Sequence, residues 1–291
     1  FDVDETSLSA DRVVLVCRQL DTLATVLVNG ETVSTADNCH VAHEFDVKDF
    51  LHVGRNVIEI VIASPVRYIL GMKKRCGTPS NLNGLDGIDH IRKPQCHFGW
   101  DWGPVLPPSG ITGDIYIDYR SVAEIREFGV RQTHEDGNVS LRWDAQFERY
   151  DERADLKAVA VLRAPDGAEK VCEREYADKL TFCFTVENPE LWWANGMTSR
   201  REQPLYECEL RLEGKDGTVC VKRKKIGLRT IKLNREKDGY GSDFSFSVNG
   251  KKVFCKGANL IPFDSFDTRT DAKKLEYYVR AAAECNFNMI R

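Results

Sequence analysis

A chain of 291 residues, 42% hydrophobic and 30% charged, has the composition of a folded protein of two or three domains, which excludes intrinsic disorder. The net charge of -4 offers no attraction for a polyanion, so we expect no nucleic acid partner. No apolar run approaches the roughly 18 residues that span a bilayer, and we expect no membrane partner either.

The first part of the chain, residues 13–120, alternates apolar and polar residues, which predicts β-strands. The strand-like runs are residues 13–20, 25–28, 56–63 and 114–119. Asn29 and Gly30 predict a hairpin turn, because both residue types accept a positive φ. Residues 73–110 differ, since they are rich in Gly, Pro and Asn and show little apolar periodicity. Connections of that length are usually functional, so we predict a functional loop on an all-β domain.

A second alternating series extends over residues 121–231. Its strand-like runs are residues 139–147, 156–162, 180–186, 205–212 and 219–225. Turn residues at 165–167 and 215–217 separate strands at the spacing expected of a small sandwich of about 100 residues. A second β domain is therefore predicted after the first.

The last part of the chain changes to strand, helix and strand. A turn at Asn249 and Gly250 joins two short strands. The apolar residues at helical spacing are Leu275, Tyr278, Val279, Ala282 and Ala283. Thr270 or Asp271 is expected to cap this helix, because a short side-chain oxygen can accept a first-turn N–H. A strand follows at 287–290, so the order is that of an opening βα-repeat, and the chain stops inside its second strand.

The ten cysteines show no C-x-x-C spacing and no nearby paired-histidine motif, so we predict no structural zinc site. Cysteines in apolar strand patterns, such as Cys17, Cys183 and Cys208, are expected to pack as small buried thiols. An even count also permits disulfides, but buried thiols favour a reducing compartment and hence the cytoplasm. The chain starts at Phe1 rather than Met, which we interpret as a trimmed terminus, so the absence of a signal peptide at this start says little about the parent protein.

The long loop carries two tryptophans that flank an aspartate, Trp100, Asp101 and Trp102, between Gly99 and Gly103. An indole face can stack on the C–H surface of a pyranose, while a carboxylate accepts paired hydrogen bonds from adjacent hydroxyls. The motif therefore predicts a sugar site. The alternative is that both indoles pack onto their own sandwich, or that one packs while the other contacts the ligand.

Residues 92–104, which include this motif, closely resemble the jelly-roll loop of the β-mannosidases of glycoside hydrolase family 2. In that family the loop reaches over the catalytic barrel and helps to form the subsite for the terminal mannose. The resemblance implies that Trp100, Asp101 and Trp102 bind substrate, with Asp101 directed towards the sugar hydroxyls.

A further stretch, residues 188–196 with 203–206, is similar to the signature of the family's immunoglobulin-like domain, although Ala194 stands where proline is more usual. We interpret this stretch as structural. Adjacent tryptophans on a strand face opposite sides, so Trp192 and Trp193 are expected to pack in the core or between two surfaces.

The third stretch, residues 248–262 with 286–291, resembles the start of the family's (β/α)8 barrel. Catalytic side chains of such barrels lie at the carboxyl ends of strands, where Arg291 falls. The resemblance implies that Arg291 orients the active-site carboxylates and that Asn259 lines the same site, with a surface or structural role as the alternative for Arg291. Leu260 replaces an aromatic residue often found there, so the rim of the pocket is expected to differ.

We therefore predict a mostly β chain: a jelly-roll β-sandwich over residues 1–120, an immunoglobulin-like β-sandwich over 121–231, and the first βαβ unit of a (β/α)8 barrel over 232–291. The resemblance implies an exo-acting β-mannosidase that hydrolyses terminal, non-reducing β-D-mannose with retention, through two glutamates and without metal or organic cofactor. The implied partner is an oligosaccharide with a terminal β-mannose. The oligomeric state and the preferred linkage stay open.

Both glutamates are expected on later strands, past Arg291, so no catalytic residue is assigned in this segment and the segment alone is predicted to be inactive. Asp264, Asp267 and Glu284 are not assigned that role, because two lie in the loop after the first barrel strand and Glu284 lies on the helix. The alternatives are another glycosidase of the family, such as a β-galactosidase or β-glucuronidase, or a non-catalytic carbohydrate-binding module of two sandwiches. The start of a barrel argues against the module, since an isolated βαβ unit cannot bury both faces of its sheet.

Overall fold

The computed structural model describes residues 1–77, 84–199 and 203–291. Its chain divides into two compact units. The first unit comprises Phe1–Ser121 with Ile261–Lys274, and the second comprises Val122–Leu260 with Leu275–Arg291. This division into two does not test the boundaries predicted between three domains, which stay a prediction.

A β-sandwich makes up most of the first unit. The elements of this unit, in chain order, are β1 (Asp2–Val3), α1 (Glu5–Leu8), β2 (Arg12–Cys17), β3 (Leu20–Asp21), β4 (Ala24–Val28), β5 (Glu31–Ala36), β6 (His43–Asp46), β7 (Gly54–Arg55), β8 (Ile58–Ile62), α2 (Pro65–Cys76), β9 (Phe98–Trp100), β10 (Gly103–Val105), β11 (Gly110–Ile111) and β12 (Ile115–Arg120). Two antiparallel sheets, ordered β12-β2-β6 and β5-β4-β8, share one core that includes Val13, Leu15, Val26 and Val28. The predicted strands are confirmed as β2, β4, β8 and β12, and the predicted hairpin turn at Asn29 and Gly30 joins β4 to β5. The sequence pattern does not predict β6.

Residues 64–113 leave this sandwich after β8, and we call them the excursion. The predicted irregular loop over 73–110 is wrong at its start, because α2 extends to Cys76. Local signals for this helix are present in the sequence: Ser64 Oγ accepts a hydrogen bond from the N–H of Arg67, and Pro65 occupies the first turn. Residues 78–83 of the predicted loop lie outside the described residues.

The excursion has a hydrophobic core of its own. Ile69 of α2 packs with Ile88, Ile91 and Phe98, and all four side chains are buried. Short 3-10 turns at Ile88–His90 and Gln95–His97 lead into an antiparallel hairpin of β9 and β10, in which Trp100 is opposite Gly103. The described part of the excursion is therefore a packed substructure and not a bare loop.

The second unit contains the other sandwich. Its elements up to the barrel start are β13 (Ala123–Glu135), β14 (Asn138–Arg149), β15 (Lys157–Arg163), β16 (Glu169–Glu175), β17 (Lys179–Val186), β18 (Tyr206–Gly214) and β19 (Gly217–Ile226). Sheets ordered β13-β14-β17 and β16-β15-β18-β19 enclose a core around Trp143, whose ring lies 5.2 Å from that of Phe128 and 4.7 Å from that of Phe184. All five predicted strands are confirmed, and β13 and β16 are added to them.

The cysteines follow the alternation of their strands. Cys17 and Cys208 are buried as predicted, and burial raises the pKa of these thiols to about 11 and about 12. The prediction is wrong for Cys183, which is exposed, because its neighbours Phe182 and Phe184 occupy the core-facing positions of β17. All ten cysteines lie in the described residues and are free thiols.

The chain continues into β20 (Ile231–Asn234), β21 (Ser245–Val248), β22 (Lys251–Val253), β23 (Gly257–Ala258), α3 (Ala272–Glu284) and β24 (Met289–Ile290). β23 and β24 pair in parallel, with α3 between them in the sequence, so the predicted strand, helix and strand are confirmed. Asp271 caps α3, since its Oδ1 accepts the N–H of Lys274 at 2.7 Å. No helix in the described ranges is long and apolar enough to cross a membrane.

Candidate functional site

The hairpin of β9 and β10 carries the Trp-Asp-Trp motif at its tip. Trp100 ends β9, while Asp101 and Trp102 form the turn. The two tryptophans are 37% and 42% exposed, and their ring centroids lie 6.3 Å apart at an angle of 43°. Neither indole is therefore sealed inside the sandwich, and the role of the motif in binding a sugar stays a prediction. Asp101 is exposed and makes no hydrogen bond or ion pair with any residue that the structure describes.

The base of the hairpin is held by packing and backbone contacts. Phe98 is fully buried in the core of the excursion, and its carbonyl oxygen accepts the N–H of Leu85 at 3.0 Å. The N–H of Leu106 donates to the carbonyl oxygen of His97, also at 3.0 Å. Gly99 has φ near 111°, a conformation that favours glycine, which lets the strand turn immediately before Trp100. The exposed tip thus projects from a fixed base.

A buried ion pair ties the excursion to the sandwich. Lys93 Nζ contacts the carboxylate of Asp21 at the end of β3, and the two side chains are 0% and 5% exposed. Thr22 donates its hydroxyl to the same carboxylate. Removing two charges from water is costly, so such a pair persists only where the surrounding geometry holds both partners. The pair anchors the excursion four residues before His97.

A cavity of about 190 Å³ opens beside Trp102, within the first unit. Its lining residues are Cys96, His97, Trp102, Gly103, Pro104, Leu106, Ile261, Pro262, Phe263, Asp264 and Ser265. Apolar surface from Trp102 and Phe263 is combined here with the polar groups of His97 and Asp264. Sequence reasoning did not assign these two polar residues. The available signals were the proximity of His97 to the motif and the position of Asp264 after a barrel strand.

The imidazole of His97 is neutral at ordinary pH. Burial lowers the pKa of His97, and the positive charge of Lys93 lowers it further. Its Nδ1 has no hydrogen-bond partner among the described residues. Burial also raises the pKa of the Cys96 thiol, which keeps it protonated and unreactive. The cavity wall therefore offers neutral hydrogen-bonding groups and one carboxylate, rather than an activated nucleophile.

Asn259 and Arg291, the other predicted site residues, meet in the second unit. Asn259 follows β23 and Arg291 follows β24, and Nη1 of Arg291 donates to Oδ1 of Asn259 at 3.2 Å. Both residues line a cavity of about 310 Å³ together with Gly257 and Met289. The carboxyl ends of parallel strands carry the catalytic groups in barrels of this kind. The structure thus forms two groups of predicted site residues, one on the hairpin and one at the barrel start.

No cluster of His, Cys, Asp and Glu able to hold a metal ion is present in the described ranges. Asp264 lines the first cavity, whereas Glu284 lies at the end of α3.

Comparison with known proteins gives consistent matches along the chain. The model of the glycosyl hydrolase 2 galactose-binding domain-like family matches residues 1–113, and the model of glycosyl hydrolases family 2 matches residues 123–229. Beta-mannosidase B of Aspergillus oryzae is 31% identical over 96% of this chain and 33% of its own length. Beta-mannosidase of Capra hircus is 28% identical over 97% of this chain and 34% of its own length.

Among solved structures, that of the β-D-mannosidase from Dictyoglomus thermophilum superposes with a TM-score of 0.90 at 30% identity, over all of this chain and 36% of that protein. The chain spans about one third of the length of the curated relatives that it matches. Because the two family models together account for both sandwiches, this chain belongs to glycosyl hydrolase family 2.

Proposed function

We propose that the protein containing this chain is an exo-acting β-mannosidase that hydrolyses terminal, non-reducing β-D-mannose with retention of configuration. The observation that carries the proposal is the exposed Trp100, Asp101 and Trp102 on a fixed hairpin, with the Asp101 carboxylate uncommitted. Relatives named as β-mannosidases, up to 31% identical over nearly the whole chain, support the choice of sugar.

Each site residue has a proposed role. Trp100 and Trp102 offer indole faces to the C–H surface of the pyranose, and Asp101 accepts hydrogen bonds from adjacent hydroxyls. Arg291 uses its permanently charged guanidinium to orient the catalytic carboxylates, with Asn259 holding one of its nitrogens. An oligosaccharide with a terminal β-mannose is the proposed substrate.

The two catalytic glutamates are proposed to lie on barrel strands beyond this chain, which covers only a third of its relatives. Asp264, Asp267 and Glu284 are not proposed for that role. The pairing of β23 with β24 supports a catalytic protein over a carbohydrate-binding module, since parallel sheets are normally covered on both faces and both strands are exposed in this chain.

We also propose a reducing compartment, the cytoplasm, for this protein. All ten cysteines are free, and burial raises the pKa of several of the thiols, including Cys17 and Cys208. Inert thiols of this kind are typical of reducing compartments.

Replacing Trp100 or Asp101 by alanine in the full-length protein tests the proposed sugar contacts. We expect kcat/KM for an aryl β-mannoside to fall roughly 10- to 100-fold in Asp101→Ala, since a hydrogen bond to a charged group contributes about 1.5–3 kcal/mol. Trp100→Ala should lower kcat/KM as well, because it removes the indole face on which the pyranose stacks. The melting temperature should change little, because both side chains are exposed. Steady-state kinetics and thermal unfolding measure the two effects.

Tyr119→Ala provides the matched control, because Tyr119 is 39% exposed on β12 and has no proposed sugar contact. Loss of stability with unchanged kcat/KM in the Trp100 and Asp101 variants would assign the motif to packing.

A panel of aryl β-mannoside, β-galactoside and β-glucuronide tests which sugar the full-length protein prefers. Preferred cleavage of the galactoside or the glucuronide would overturn the assignment to mannose.

A further inference from the structure

The segment Trp192 to Asn195, in the connection between β17 and β18, is bound to several parts of the second unit. The N–H of Trp192 donates to the carbonyl oxygen of Leu228 at 2.9 Å, and Arg229 lies over the indole at 4.7 Å. Gly227 makes room for this indole, since a Cβ there would come within 2.7 Å of the ring. Trp192 therefore packs as predicted from the sequence, and it fixes the segment on the sandwich side.

The same segment contacts the strands that precede the barrel. Nδ2 of Asn249, in the turn between β21 and β22, donates to the carbonyl oxygen of Trp192 at 2.9 Å. Nζ of Lys251 lies 5.1 Å from the ring centroid of Trp193. The two tryptophans thus have different neighbours, as expected for adjacent residues that face opposite sides.

Asn195, at the end of the same segment, contacts the junction between α3 and β24. Its Nδ2 donates to two backbone carbonyl oxygens, that of Ala283 at 3.0 Å and that of Phe287 at 2.9 Å. Ala283 lies in the last turn of α3, and Phe287 lies in the connection that leads to β24. One side-chain amide therefore bridges the end of the helix and the approach to the next strand.

The strand at this junction is also held by backbone hydrogen bonds to the residues that flank β23: the N–H of Asn288 donates to the carbonyl oxygen of Lys256 at 2.9 Å, and the N–H of Leu260 donates to that of Arg291 at 2.7 Å. Asn288 accepts the N–H of Lys256 and donates to the carbonyl oxygen of Phe254. β24 itself is only two residues long, and Arg291 follows it directly. The N–H of Arg291 donates to the carbonyl oxygen of Ala258 at 3.2 Å. These bonds hold β24 from the side of β23, and Asn195 holds the connection that leads into β24, so both contribute to where Arg291 lies.

We propose that Asn195 is a positioning residue, through which the immunoglobulin-like sandwich sets the second barrel strand and thereby Arg291. The effect on catalysis rests on the function proposed above, whereas the effect on the strand does not. The primary amide is suited to this role, because its two N–H groups can satisfy two carbonyls at once. An aspartate has the same shape but no donor, and its charge would repel both carbonyl oxygens.

Asn195→Asp in the full-length protein is the main test, with Gln203→Glu as the matched control. The side-chain amide of Gln203 donates to the carbonyl oxygen of Trp193 at 3.0 Å, so Gln203 binds the same segment, and it makes no hydrogen bond to the described residues of the α3–β24 junction. Asn195→Ser, which retains one donor, is the second variant and should give an intermediate effect if Asn195→Asp folds poorly.

Hydrogen–deuterium exchange gives the readout that does not depend on activity. We expect amides of residues 286–291 to exchange about tenfold faster in Asn195→Asp, corresponding to the loss of two hydrogen bonds, with no such change in Gln203→Glu. Unchanged exchange at residues 286–291 in both Asn195 variants would overturn the inference. Equal acceleration throughout the second unit would do so too, because it would indicate a general loss of stability.

Steady-state kinetics with an aryl β-mannoside tests the link to Arg291. We expect Asn195→Asp to lower kcat/KM roughly 10-fold, within the range that small misplacements cause, and to add nothing in an Arg291→Ala background. Independent effects of the two substitutions would overturn positioning through Arg291. If Arg291→Ala alone leaves turnover unchanged while exchange still rises in Asn195→Asp, the proposed role of Arg291 fails and the structural role of Asn195 stands.

Discussion

Two neighbouring basic residues of the excursion, Arg92 and Lys93, form ion pairs in opposite surroundings. Arg92 contacts Asp37 at 3.0 Å with both side chains largely exposed, whereas Lys93 and Asp21 are almost completely buried. Water screens the first pair and leaves it little net effect on stability. The second pair has lost its hydration, so each charge depends on the other.

Lys93→Ala is expected to destabilise the protein by about 3–5 kcal/mol, because it leaves the Asp21 carboxylate buried without its counter-charge. Arg92→Ala should cost less than about 1 kcal/mol. Urea denaturation followed by tryptophan fluorescence compares the two variants. Similar midpoints for both would show that the buried pair does not anchor the excursion.

At the scale of elements, the excursion depends on the close approach of its segments. A Cβ at Gly84 would lie 2.6 Å from the carbonyl oxygen of Phe98, the residue that seats the Trp-Asp-Trp hairpin. Gly71 lies within α2, and a Cβ there would meet no atom within 4 Å. Close packing therefore requires a glycine at position 84, whereas position 71 has room for a side chain.

Alanine at these two positions should shift stability in opposite directions. Gly84→Ala forces the backbone of Phe98 to move and is expected to cost about 1–3 kcal/mol. Gly71→Ala should stabilise α2 by about 0.5–1 kcal/mol, because alanine loses less backbone entropy in a helix. Thermal unfolding measures both, and a stabilising Gly84→Ala would contradict the packing of the excursion against the hairpin.

At the scale of the molecule, residues 261–274 belong to the first unit although they follow a barrel strand in the sequence. They bring Phe263 and Asp264 to the cavity beside Trp102. A part of the chain that the sequence pattern assigns to the third domain thus completes the wall of a cavity in the first unit.

The chain of 291 residues should release no para-nitrophenol from an aryl β-mannoside, because no pair of catalytic glutamates is assigned within it. The full-length protein should hydrolyse the same substrate. A spectrophotometric assay at equal molar concentrations compares them, with Trp100→Ala in the full-length protein as a low-activity reference. Turnover by the shorter chain would show that its own carboxylates, such as Asp264, perform the chemistry.

The sequence by itself determined most of the strands, the helix at the barrel start and the motif that identifies the family, because each depends on residues close together in the chain. It narrowed the helix cap to Thr270 or Asp271, and the structure decided for Asp271. The same pattern missed α2, whose last residues overlap the segment rich in Gly, Pro and Asn, although Ser64 and Pro65 mark the start of the helix. It also misplaced Cys183, since alternation shows that one face is buried without always showing which residues face it.

Only the tertiary structure decided that both tryptophans are exposed and that His97 and Asp264 line one cavity. It also showed that one amide, Asn195, bridges Ala283 and Phe287. These contacts join residues 88 to 167 positions apart, and spacing along the chain carries no record of such contacts. They form when hydrophobic cores bring distant segments together, and the packing of those cores sets which side chains then meet.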